Sequence, residues 1–136
     1  MRRFFSTSYS EFGFNFTTLL LRVIFSLFMI VNHGLPKLMN FPTKVQTFFD
    51  PFHIGSQWSL VLVVFAEVFC SILLLLGLFT RLVLLPLITT MIIALFMVNW
   101  GKGWDATESA ALYLSVYLLL LFVGPGKYSA DAAMGK

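Results

Sequence analysis

Long apolar stretches alternate with short polar ones along the 136-residue chain. The first apolar stretch runs from Phe12 to Val31, behind a polar lead-in carrying Arg2 and Arg3. It exceeds the core of a signal peptide (about 7–15 residues), and Val31-Asn-His-Gly-Leu-Pro offers no A-x-A cleavage site. The pattern therefore predicts an uncleaved transmembrane helix over about 14–34, stopped by Pro36. Further spans are predicted over 58–79, 82–100 and 108–123. Trp58 suits an interfacial anchor, and Pro86 falls early enough in its helix to be tolerated or to kink it modestly. Between the first two spans, Phe41, Val45, Phe48 and Phe49 recur at i, i+4, i+7 and i+8, one face of a helix. Asn40 is the expected N-cap and Pro42 fits the first turn. The segment, 40–50, is too short to span, so it is expected to lie in the membrane interface. Residues 51–57 read as a turn-rich return, and 101–107 as a charged glycine loop. Gly124-Pro125-Gly126 ends the last span before a short polar tail. Lipid forbids open strands, so the expected fold is an all-α membrane protein. It is an antiparallel four-transmembrane-helix bundle with a short interfacial helix between the first and second spans. The length leaves room for one membrane domain over 1–136.

Composition agrees. Charged residues make up 11% of the chain, against about 25% in soluble domains, and the mean hydropathy is +0.90. The first partner is therefore the lipid bilayer. The nine Lys and Arg are scattered without a basic run, which excludes nucleic acid. Four spans put both termini on one side, with Arg2, Arg3, Arg81, Lys127 and Lys136 against Lys37, Lys44 and Lys102 on the other. The positive-inside rule then favours cytoplasmic termini, in a multi-pass protein of the plasma membrane (the inner membrane of a bacterium). Cys70 is the single cysteine. It excludes a disulfide or two-cysteine thiol exchange within the chain and reads as a small core filler.

Glu67 sits inside the second span, where a lone carboxylate costs at least about 2.5–3.5 kcal/mol. It needs a partner, a proton or a polar cavity. On the first helix, Arg22, Ser26, Met29, His33 and Lys37 share a face, although Lys37 is expected to lie beyond the helix end. Arg22 falls about 12 Å in from the terminal side and Glu67 about 18 Å, so an Arg22–Glu67 ion pair inside the bundle is expected. Such a pair serves equally as a neutral staple between helices; Arg22 alternatively snorkels to the interface. A second cluster is expected at the far mouth: Asn32 and His33, Asn99 and Trp100, and Glu108 at the start of the fourth helix. A histidine beside a carboxylate suits proton relay near neutral pH. The structural alternatives are a helix-dipole role for Glu108, capping by Asp105 or Thr107, and a tie to a helix end by Asn99. The two histidines follow no metal-binding spacing, so no metal is expected. A bis-histidine haem would need His53 to fold back to His33.

The chain resembles the DoxX family of small four-helix membrane proteins. The resemblance rests on L-L-L-R-V-I-F-S-L-F-M-I-V-N-H-G-L-P-K-L (19–38), D-P-F-H-I-G (50–55), A-E-V-F-C-S-I-L-L-L-L-G-L-F-T-R (66–81), Glu108 and G-P-G-K-Y-S-A-D (124–131). The family pattern maps onto His33, Gly34, Lys37, Leu38, Glu67, Gly77, Thr80, Arg81, Gly124, Ser129 and Asp131. Members often carry a histidine near the end of the third helix, where this chain has Asn99, a departure that weakens a haem or metal reading. The resemblance implies association with membrane oxidoreductase complexes, since related DoxD-like subunits belong to a thiosulfate:quinone oxidoreductase. Most members have no established activity.

Two functions fit. In one, the protein is a quinone-linked component of a membrane oxidoreductase complex, with Arg22 and Glu67 lining the quinone pocket and His33 and Glu108 moving protons. Electrons then come from a partner subunit or bound cofactor, because the chain has no cysteine pair. In the other, it is a non-enzymatic membrane module that binds a lipid, small solute or partner protein, or scaffolds envelope subunits. A transporter is a third option, but four short helices make a narrow route unless the chain forms a homo-oligomer.

Overall fold

The computed structural model describes residues 2–135. Lys136 lies outside them. After a 3-10 turn at Arg2–Phe5 come α1 (Glu11–Met39), the single-turn α2 (Phe41–Lys44), α3 (Ser56–Leu76), α4 (Thr80–Val98) and α5 (Trp104–Val123). The single-turn α6 (Ala130–Ala133) closes the chain. By length and composition α1, α3, α4 and α5 can each cross a membrane. The described residues contain no strand. Each long helix packs on the next, and α5 returns to α1, which closes an antiparallel four-helix bundle.

The few polar residues decide which way each apolar helix faces. The first part of α1 buries Asn15, Thr18, Arg22, Ser26 and Met29 and turns Phe16, Leu20, Leu27 and Phe28 outward. That is the face expected from the sequence. Lipid solvates the outer phenylalanines and leucines as well as a core would, so polar groups gain most from the interior. Around them pack Met29, Cys70, Leu74, Leu84, Leu87, Tyr117 and Leu120, all nearly or fully buried.

Several boundaries differ from expectation. Helix α1 begins one turn early because the Ser10 hydroxyl accepts a hydrogen bond from Gly13 N at 2.9 Å, a side-chain N-cap. It also runs through Pro36 instead of stopping there. The turn Ile30–Gly34 is π-helical, and Leu35 N–H donates to Ile30 O, five residues back. The helix restarts after this widened turn, so Pro36 occupies a first-turn position, where the missing N–H costs little. Asn40 stands at the N-cap of α2 as expected, but its side chain makes no capping hydrogen bond; its amide donates back to Pro36 O at 2.9 Å. The expected interfacial helix over 40–50 shrinks to α2. The chain after it is pulled into a loop by Asp50, whose carboxylate accepts from Ile54 N, Gly55 N and Ser59 Oγ. Desolvation pushes the Asp50 carboxyl up, but those hydrogen bonds, Ser59's first, and the nearby His53 hold it below the usual carboxylate value. Helix α5 starts at Trp104, a turn before Glu108. Gly103 stands at its N-cap with φ 101°, and neither Asp105 nor Thr107 caps it. The Thr107 hydroxyl donates back to Gly103 O and Trp104 O.

The tail is a clasp across the terminal end of the bundle. Lys127 N donates to Asn15 Oδ1 at 2.9 Å, tying the G-P-G turn to α1. Asp131 accepts from Phe79 N and Thr80 N, each at 2.9 Å, which satisfies two orphan donors at the start of α4. Asp131 N in turn donates to Gly77 O.

Helices α1 and α3 approach each other closely at Gly34. A Cβ there would lie 2.6 Å from Val68 Cγ2 and 3.1 Å from the Glu67 carbonyl carbon. Gly34→Val should therefore cost about 1–3 kcal/mol of overpacking, a fall of several degrees in the melting midpoint in mild detergent. An unchanged midpoint would mean the two backbones have room to part.

Candidate functional site

Glu67 and Lys37 meet in the wall of a lateral cavity. The Lys37 ammonium donates to both Glu67 carboxylate oxygens, at 2.7 Å and 2.9 Å. The Glu67 side chain is 3% exposed and that of Lys37 22%. This corrects the expected Arg22–Glu67 pair. The error follows from Pro36: a helix ending at Gly34 would have left Lys37 outside the bundle. The π-turn carries α1 on, and Lys37 reaches the carboxylate from above.

Arg22 is fully buried and has a different task. Its guanidinium donates to Leu74 O at 3.3 Å and Leu75 O at 3.2 Å, carbonyls at the end of α3 of which Leu74 O also accepts from Gly77 N, and to Tyr128 O in the tail. A cation at a helix C-terminus is also favoured by the helix dipole. Gly77 makes room for it. With φ 72°, it leaves space that a Cβ would take from the guanidinium and from Ser129.

The cavity has a volume of about 1240 Å³ and is lined by parts of α1, α3, α4, α5 and the α2–α3 link. The three π-helical turns among the described residues all border it: Ile30–Gly34 brings His33, Phe65–Cys70 brings Glu67, and Ala94–Val98 leads to Asn99. Such turns widen a helix and re-aim side chains, and they recur at functional sites. The His33 ring meets Tyr113 edge-on, with centroids 5.4 Å apart. Tyr113 is further held by Phe25 and Tyr117. The His33 ring nitrogens make no hydrogen bond to a described residue. Deeper in, the Tyr117 hydroxyl lies beside Ser71; neither closes a well-formed hydrogen bond, nor does buried Ser26.

The structure thus brings His33, Glu67 and Asn99 to one cavity and places Arg22 and Ser26 in the bundle interior. It does not bring Glu108 to that cavity. Glu108 is exposed and borders a smaller hollow of about 440 Å³ with Trp100, Trp104 and Asp105. Five residues separate it from Tyr113, which rotates it about 140° around α5. Asn32 is also exposed and Trp100 is 68% exposed, so the expected far-mouth cluster divides. Among the other motif positions, Gly34 sets the α1–α3 approach, Lys37 holds Glu67, and Asp131 caps α4. The Arg81 guanidinium lies near Gly124, where a Cβ would stand 3.3 Å from Nη2. Sequence reasoning missed Tyr113; its only signal was a place on the inward face of α5, one turn from Tyr117. His53 is not part of the cavity wall. Among the described residues no three His, Cys, Asp or Glu gather as metal ligands.

Four apolar helices around an interior polar site define an integral membrane protein. The sequence model of the DoxX family matches residues 17–100, and the chain belongs to that family. No curated protein and no solved structure matches the chain.

Proposed function

We propose that the protein binds a membrane quinone in the lateral cavity, as a component of a membrane oxidoreductase complex. The observation that carries this reading is the buried Lys37–Glu67 pair, with His33 beside it, in the wall of a cavity that is otherwise mostly apolar. Ligand sites have this composition: apolar walls with a few fixed polar groups. An ammonium has three donors, and Glu67 takes two directions of Lys37. A third donor of Lys37 and a ring N–H of His33 would remain for the carbonyl oxygens of a quinone. Reducing a quinone to a quinol takes two electrons and two protons. Glu67 and His33 are suited to passing the protons. The electrons would enter from a partner subunit, since the chain's one cysteine cannot cycle as a dithiol. The cavity exceeds the roughly 300–1,000 Å³ of small-molecule pockets, which favours, as the second reading, a non-enzymatic module that holds a lipid.

The setting is the plasma membrane with cytoplasmic termini. The sequence bias of five cations on the terminal side against three on the other supports this orientation.

The test is a melting curve in mild detergent with a short-chain quinone. The midpoint should rise with quinone concentration. Glu67→Gln and His33→Ala should each weaken the response about tenfold, or about 1.4 kcal/mol. A midpoint indifferent to quinone, together with no quinone in the mass spectrum of the purified protein, would remove this reading in favour of the second.

A further inference from the structure

The cavity has an end that the quinone reading does not use. Lys44, after α1, and Lys102, in the α4–α5 loop, both line it and both are exposed. Neither side chain makes an ion pair or hydrogen bond with a described residue. Glu67 is the one acidic residue in the wall among those described, and Lys37 matches its charge. The lining residues thus hold no carboxylate to match these two positive charges, and the neighbouring Asp50 is engaged by Ile54 N, Gly55 N and Ser59 Oγ. Asp105 and Glu108 border the other hollow instead.

Below that rim the lining follows α4 from Val98 to Leu82, about 24 Å at 1.5 Å per residue. That is longer than one leaflet, half of a hydrocarbon core about 30 Å thick. The groove opens sideways, because lining residues Phe65, Leu82 and Leu85 are also 47%, 65% and 52% exposed on the lipid-facing surface. A cationic rim above a chain-length apolar groove is complementary to an anionic amphiphile. A zwitterionic headgroup would bring a cation to a rim whose lining residues offer it no carboxylate.

We propose that this groove binds an anionic phospholipid of the surrounding bilayer, its phosphate between Lys44 and Lys102 and one acyl chain along α4. Basic pockets between membrane helices recognise lipid headgroups in this way. This proposal rests on the second, lipid-holding reading of the cavity and names the lipid class; its headgroup contacts use neither the Lys37–Glu67 pair nor His33.

The experiment compares melting midpoints of the delipidated full chain in detergent with added phosphatidylglycerol, phosphatidylcholine of the same chains, or inorganic phosphate. Phosphatidylglycerol should stabilise at concentrations at least tenfold lower than phosphatidylcholine, and inorganic phosphate should do nothing. Lys44→Gln with Lys102→Gln should erase the preference, whereas Lys44→Arg with Lys102→Arg, or Lys127→Gln at the opposite end, should keep it. Both lysines are exposed, so the lipid-free midpoints should match wild type and separate lost binding from lost folding. Equal stabilisation by the two lipids, a preference that survives both Gln substitutions, or an equal effect of inorganic phosphate would each overturn the proposal. Quinone-dependent stabilisation is expected to survive the Gln substitutions, so either reading can fail alone.

Discussion

Arg22→Leu should be the most destabilising single substitution in the chain. The guanidinium supplies charge-assisted hydrogen bonds to Leu74 O, Leu75 O and Tyr128 O. It thereby joins three pieces of chain remote in sequence: α1, the end of α3 and the tail. Hydrogen bonds from charged groups contribute about 1.5–3 kcal/mol each, and leucine would also leave the part-buried Leu75 O and Tyr128 O without this donor, although Leu74 O keeps Gly77 N. A loss of at least about 4 kcal/mol follows, which corresponds to a midpoint drop of about 10 °C or more in detergent. Arg22→Lys should recover only part of it, because one ammonium cannot reproduce the planar fork that addresses separate carbonyls. The loss should also be coupled to the tail. Asp131→Ala removes the acceptor for Phe79 N and Thr80 N, and combined with Arg22→Leu it should cost less than the sum of the two. Strict additivity of the double variant would show that Arg22 and the tail act separately and that the clasp is no single unit.

The four spans were legible because apolar runs and their breaks are local properties of the sequence. So was the inward face of α1, since Arg22 gains hydrogen-bonding surroundings inside the bundle and Ser26 lies on the same buried face. What the sequence hid were contacts set by a change of helical pitch or by long separations. The π-turn at Ile30–Gly34 has no residue signature, so Pro36 looked like a stop and Lys37 like a loop residue. Arg22 was expected inside the bundle, where the structure buries it, but with a different partner. Its actual acceptors are backbone carbonyls, which every residue carries and no pattern can single out. Asp131 stood out as a motif position, yet its role depends on a helix start 51 residues earlier. Glu108 was misassigned because the fourth helix begins a turn sooner than its apolar run suggests; Asp105, Thr107 and Glu108 interrupt the apolar pattern there. The 40–50 segment has the periodicity of a helix, but Asp50 draws its end into a loop by accepting two backbone N–H groups and a hydroxyl.

Lys37→Met should expose how much the cavity depends on its ion pair. The substitution keeps a flexible side chain of similar length but leaves the Glu67 carboxylate, 3% exposed, without its cation. Breaking one half of a buried pair costs about 3–5 kcal/mol, because the remaining charge is desolvated and uncompensated. The double variant, Lys37→Met with Glu67→Met, should recover most of that loss, since replacing both charges by apolar groups is often neutral or better. The single and double variants together thus separate two views of the pair. If both variants are equally unstable, Glu67 is needed for packing whatever its charge. If the double variant is as stable as wild type and yet no longer responds to quinone, the pair contributes little to holding the bundle together. It is then kept for the ligand, which fits a carboxylate placed at mid-depth in a membrane despite its cost. A Lys37→Met variant with a wild-type midpoint would mean that Glu67 is relieved by something other than Lys37, and the site would have to be redrawn around that partner.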